Sequence, residues 1–278
     1  MPKDVKLKMT GERVVPHDIR TIEEHTQYLR HLFVYEHVKG LINPSDSVLE
    51  IGFGEGYGTR MIADKCSDIV GIDIMQDTVD YANEKYGDDK CKFQWYEGKT
   101  IPYDAGHFDV VISFQVIEHI VDDTNFVAEI YRVLKNNGRC FIATPNGETR
   151  LKPNQKPWNR FHIREYSDKQ LAAVLGKSFQ KVDVFGLKAS DEIMKLEFAR
   201  IHRGPFISLA LKLGLRRIIP QALDPYIARF MGILKGQKKI NEQNQDFKDR
   251  LTIKDFWLEK DNVPSCLDLF SQCVKLEK

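Results

Sequence analysis

The stretch VLEIGFGEGYGTR (48–60) decides how this chain is read. An apolar run ends in Glu50 and Ile51, after which Gly52, Gly54, Gly56 and Gly58 alternate with other residues. Glycines at a strand-to-helix turn allow positive φ and let a ligand approach the backbone closely. Nicotinamide enzymes, flavoproteins and methyltransferases share that device, so the glycines alone do not separate them. The dinucleotide fingerprint needs its third glycine where Tyr57 stands. A bulky Tyr57 crowds the helix N-terminus that a pyrophosphate occupies. Glu50, just ahead of the loop, repels a phosphate and suits a cationic or hydroxyl-rich ligand instead.

Around this loop strands and helices alternate. TIEEHTQYLRHLFVYEHVKGLI (21–42) has helical apolar spacing and stops near Asn43-Pro44. SVLEIGF (47–53), DIVGIDIM (68–75), CKFQWYEG (91–98), HFDVVISFQ (107–115) and RCFIATPN (139–146) read as strands. The segments GTRMIADKC and TVDYANEKYG read as helices, as does VIEHIVDDTNFVAEIYRVLKNNG, closed by Asn137-Gly138. SDKQLAAVLGKSF (167–179) adds a helix, QKVDVFGL (180–187) a strand and CLDLFSQCVK (266–275) a last strand. Strands apolar on both faces and separated by helices predict a doubly wound α/β fold, with its ligand at the carboxyl ends of the strands.

ExGxGxG followed by an acidic residue closing the next strand resembles the class I S-adenosylmethionine (SAM) dependent methyltransferases. The second strand ends GIDIM, which places Asp73 23 positions after Glu50. The third strand's YEGKTIPY, then FDVVISFQVIEHI and EIYRVLKNNGRCFIATPN, continue the likeness over roughly residues 45 to 185. TGERVVP, HTQYLRH, FHIREYS and CLDLFSQCVK are similar to methyltransferases of the type 11/12 kind from bacterial and archaeal surface-glycan and sugar biosynthesis. The resemblance implies a Rossmann-like, seven-stranded, mostly parallel sheet whose last strand is antiparallel, with a helical insertion before that strand. It implies SAM as cosubstrate, held by Glu50, Gly52, Gly54 and Gly56, by Asp73 and Ile74 at the ribose, and by Glu97 and Gly98 at the adenine. Phe114, near the end of the fourth strand, is a further cofactor contact. Tyr28, with Arg13 and His25, belongs to an arm that closes on the methionine end.

The catalytic candidates are Glu118, His119 and His162. The adjacent pair lies at the mouth where the acceptor is expected, and His162 follows the fifth strand. They resemble a site in some small-RNA and quinone-precursor O-methyltransferases where ExxEH holds a divalent metal. Gln115 replaces the first glutamate, and an amide is a poorer Mg²⁺ ligand than a carboxylate, so no metal ligand is assigned. A general base suits a hydroxyl acceptor, and bracing of the loop is the plainer role for Glu118 and His119.

The chain has 278 residues, net charge +1 and five dispersed cysteines without a CxxC pair. Reduced cytosolic thiols follow, and neither a zinc ribbon nor a disulfide framework. The charged start MPKDVKLKMTGERVVP has no apolar signal segment. Residues 1–44 read as an arm and helix over the cofactor, 45–187 as the core, 188–265 as a basic helical cap and 266–278 as the final strand. Residues 200–240 hold nine cations (Arg200, Arg203, Lys212, Arg216, Arg217, Arg229, Lys235, Lys238 and Lys239) against Asp224 alone. They read as a solvated cap, a contact with an anionic lipid-phosphate or membrane surface, or a clamp for an anionic acceptor. Nucleic acid is not expected, because aromatic interleaving is thin. The function read is O-methylation of a sugar, glycan-linked or related small polar acceptor by a cytoplasmic enzyme, at most peripheral to the membrane's inner face. RNA or a quinone precursor is the alternative acceptor. An NAD-dependent oxidoreductase and a non-catalytic SAM-binding partner protein are the rivals from other classes.

Overall fold

The computed structural model describes residues 16–201, apart from 153, 158 and 160, and residues 246–277. Helix α1 (Ile22–Lys39) begins at Thr21, whose side chain accepts from the Glu24 N–H while Glu24 reaches back, a reciprocal capping box. Strands β1 (Ser47–Ile51), β2 (Asp68–Asp73), β3 (Cys91–Trp95), β4 (Phe108–Phe114) and β5 (Leu134–Pro145) run parallel in the order β3-β2-β1-β4-β5. Helices α2 (Tyr57–Ala63), α3 (Gln76–Tyr86), α4 (Asp123–Val133) and α5 (Gly147–Arg150) lie between or after them, and α6 (Asp168–Leu175) follows. Strand β6 (Lys181–Ala189) leads into α7 (Asp191–Ile201), and past the undescribed stretch come α8 (Asp246–Arg250), β7 (Phe256–Glu259) and β8 (Asp268–Val274).

Apolar layers cover both faces of the sheet. Val48 faces Val38, Ile62, Val79 and Ala82 under α1, α2 and α3. Leu49 and Ile51 point the other way, toward Phe126, Val127, Ile130 and Leu171 of α4 and α6. The two-residue period of a strand therefore turns Glu50 to the same side as Val48, beneath α1 and α2. Strand order reverses between β1 and β4, which opens a crevice at their carboxyl ends.

Several expectations need correction. The sheet has eight strands, because Phe256–Glu259 pairs antiparallel with β6 over Gly186–Ala189. The 188–265 insertion is thus not wholly helical, and the core strand before it runs on to Ala189. The last strand is antiparallel to both neighbours, as the resemblance implied. No single helix spans 116–138. Gln115 takes φ +58°, a short 3-10 turn covers Ile117–His119, and Asp122 caps a new helix by accepting from the Asn125 N–H. Asn137, at φ +62°, lies inside β5 next to the register shift against β4, so Asn137-Gly138 marks an irregularity in a strand and not a helix end. The basic residues from Arg203 to Lys239, Asp224 and Arg13 lie outside the described residues. Among the described residues no helix is long and apolar enough to cross a membrane.

Candidate cofactor and acceptor site

Gly52, Gly54 and Gly56 all take left-handed φ (+76°, +63° and +99°) where β1 turns into α2. At Gly54 an added Cβ would meet nothing within 4 Å among the described residues, which leaves the loop's backbone open to a ligand there. Behind the loop, the fully buried Glu50 accepts hydrogen bonds from Tyr35 Oη at 2.5 Å and Thr59 Oγ1 at 2.6 Å. Glu50 therefore joins α1 to α2 beneath the loop. Burial pushes its carboxyl up to about 7, against the pull of the Thr59 and Tyr35 donors. Gly58, which the glycine spacing left without a role, is where an added Cβ would overlap the Tyr35 ring. Glu55 is buried too, bonded to Lys85 Nζ at 2.6 Å and to the hydroxyls of Tyr81 and Tyr86, so it staples the loop to α3.

Asp73 closes β2 and accepts from the Met75 N–H at 2.9 Å. Ile74 beside it is 57% exposed. Gly98, at φ +84°, comes so near that an added Cβ would stand 3.0 Å from Ile74 Cγ2. Glu97 is exposed just beyond β3, whose last residue is Trp95, and Trp95 Nε1 donates to the Ile74 carbonyl. Four residues named from the sequence thus meet along one rim of the crevice. Phe114 ends β4 edge-on to Tyr35, and Tyr28 and Tyr35 both pack on Tyr57. His25 does not join Tyr28. It is buried, donating from Nε2 to the Leu251 carbonyl and lying 5.3 Å from the Phe247 ring, so it anchors α8.

Glu118, His119 and His162 do converge: one ligand atom from each lies within 4.8 Å of the others. The imidazole rings meet edge to face at 4.9 Å. A carbonyl or carboxylate oxygen can only accept, so each Nδ1 carries its ring's proton. His119 Nδ1 donates to the Phe161 carbonyl at 3.0 Å and His162 Nδ1 to Glu165 Oε1 at 2.7 Å. Glu118 is fully buried; Oε2 accepts from Thr144 Oγ1 at 2.9 Å, while Oε1 has no hydrogen-bond partner among the described residues. Burial drives its carboxyl up to about 8, against its own backbone N–H and Thr144. Gln115 turns away, its amide donating to Asp268 Oδ2 at 3.2 Å. Asp268 also faces the buried Arg30, which Glu197 of α7 approaches at 3.5 Å.

The methyltransferase domain family model matches residues 49–142. A probable S-adenosylmethionine-dependent methyltransferase of Mycolicibacterium smegmatis is 35% identical over 182 residues, covering 65% of this chain and 68% of its own length. The chain belongs to the S-adenosylmethionine-dependent methyltransferases. A second methyltransferase relative, Rv3030 of Mycobacterium tuberculosis, is 34% identical over 61% of this chain and 60% of its own length. This methyltransferase spans less than two thirds of that relative. In fold it is similar to phosphoethanolamine N-methyltransferase 2 of Haemonchus contortus, crystallised with S-adenosylhomocysteine. That match has a TM-score of 0.54 at 20% identity and covers 89% of the methyltransferase and 53% of the worm protein. The cosubstrate of the methyltransferase is SAM, and the open left-handed loop followed by Asp73 suits a cationic, hydroxyl-bearing, phosphate-free ligand.

Proposed function

We propose that this methyltransferase methylates a hydroxyl of a sugar or related small polar acceptor. The convergence of Glu118, His119 and His162 carries the reading, because a neutral hydroxyl needs a base as it attacks. The acceptor oxygen bonds to the methyl carbon of SAM, the carbon–sulfur pair stays on sulfur, and the hydroxyl proton passes to His162 Nε2. On the donor side Asp73 accepts from the ribose hydroxyls, Glu97 and Gly98 meet the adenine, and Ile74 and Phe114 flank it. Glu50, Gly52, Gly54 and Gly56 shape the wall, and Tyr28 closes the methionine end. In-line transfer asks little more of the chain than this alignment.

Around the cluster Phe161 and Ile163 are each 45% exposed and Val121 is 78% exposed. Such a rim suits the C–H face of a sugar ring. The basic run 200–240 supplies counter-charge for a phosphate-linked acceptor, lipid-phosphate or membrane surface, which fits a cytoplasmic enzyme at the membrane's inner face. The same rim favours a quinone precursor as second reading. Labelled SAM offered with nucleotide-linked sugars, lipid-phosphate sugars and hydroxylated quinone precursors separates them. Label in a sugar supports the first reading, and label in the aromatic acceptor alone overturns it.

A further inference from the structure

Two histidines converge with Glu118, and His162 is backed by a carboxylate. The Glu165 side chain is fully covered, with Oε1 2.7 Å from His162 Nδ1. Arg150 Nε lies 3.1 Å from both Glu165 oxygens, so the carboxyl group is oriented from behind. The segment carrying the pair is pinned on two sides. The Ile163 N–H donates to the Glu118 carbonyl at 2.8 Å, and the Gly147 N–H of α5 donates to the Tyr166 carbonyl at 2.7 Å. Asn146, the cap of α5, is itself tied to the Val263 and Cys266 carbonyls. His119 differs, since its Nδ1 proton goes to a neutral backbone carbonyl.

We propose that Glu165, set by Arg150, is a positioning residue that keeps the proton of His162 on Nδ1 and leaves Nε2 as the proton-accepting atom. This rests on the reading of His162 as base. A carboxylate behind an imidazole fixes the tautomer and stabilises the imidazolium formed when the second nitrogen takes a proton. A carboxylate at this distance therefore suits His162 to the role of base. When the acceptor hydroxyl loses its proton to Nε2, the Nδ1 proton stays on the ring, bonded to Glu165, and the new positive charge faces that carboxylate. Arg150 keeps the carboxylate from swinging to solvent.

Nitrogen NMR of the full chain carrying labelled histidine tests this without an acceptor. The expected spectrum of the unsubstituted protein has His162 protonated at Nδ1 and bare at Nε2. The Nε2-protonated tautomer there overturns the proposal outright, whether or not any variant folds. Glu165→Gln is expected to mix the two tautomers and to slow methyl transfer by about 10²-fold or more. Glu165→Asp, which keeps the charge, is expected to restore the tautomer in part. A His162 signal unmoved by Glu165→Gln also overturns the role of Glu165. Full turnover by His162→Ala overturns the base reading instead, even where the tautomer responds to Glu165.

Discussion

Tyr35 donates its hydroxyl hydrogen to Glu50 over 2.5 Å, joining the helix above the cofactor crevice to the strand beneath it. The carboxyl it holds is fully buried and titrates at about 7 instead of its ordinary 4.5. Below pH 4.5 the group is protonated whether the chain is folded or not. As pH rises to about 7 the unfolded chain ionises first, so the folded state progressively loses stability; above that both states are ionised and the deficit is constant. Glu50→Gln carries no such proton. Its stability relative to the parent should improve by up to about 3 kcal/mol between pH 4 and pH 8, read from paired denaturant curves. A difference independent of pH would show that Glu50 is ionised in the fold.

Gly58 lies under the Tyr35 ring with no room for a methyl group. Gly58→Ala should force α1 outward, cost about 1–3 kcal/mol and weaken SAM binding. Calorimetry with SAM and a denaturation midpoint report the two effects separately. Unchanged values for both would mean that α1 does not need its present seat.

Asp73 sits at the carboxyl end of β2 and accepts a local bond from the Met75 N–H. Asp73→Ala should lose charge-assisted contacts to the ribose worth about 1.5–3 kcal/mol, roughly a tenfold to hundredfold rise in Kd for SAM. Circular dichroism and melting should change little. Unaltered affinity would move the ribose site elsewhere.

Chelation should leave methyl transfer intact. Gln115 is engaged with Asp268, and Glu118, with its carboxyl raised to about 8, leans toward the neutral form that binds cations poorly. Activity that collapses in EDTA and returns with one divalent cation would reassign the cluster as a metal site.

The central sheet was legible because interior parallel strands are apolar on both faces and alternate with helices. Even the side of β1 that Glu50 occupies follows from its two-residue offset from Val48. What it meets does not, because Tyr35 reaches it from a separate helix and no local pattern links the two. The break after β4 was hidden for another reason: IEHIV has helical apolar spacing, yet Gln115 at φ +58° and the cap at Asp122 split the segment. Asn137-Gly138 misled because a helix stop and a strand irregularity use the same residues. The convergence of Glu118, His119 and His162 was legible from their chemistry and position. The Glu165–Arg150 contact was not, because only the loop after α5 folds Glu165 back onto that helix.

Strand β7 changes the outer end of the sheet. It covers β6 over only four residues, and beyond it Lys260 reaches back to Asp183 at 3.3 Å and over the Phe185 ring at 5.4 Å. Lys188 and Glu259 pair across the two strands. A neighbouring chain seeking an open row of backbone donors and acceptors there meets a short strand and a lysine folded over the rest. Short, lysine-guarded margins of this kind discourage strand-to-strand association between copies. At this end of the sheet the chain thus carries its own protection against aggregation.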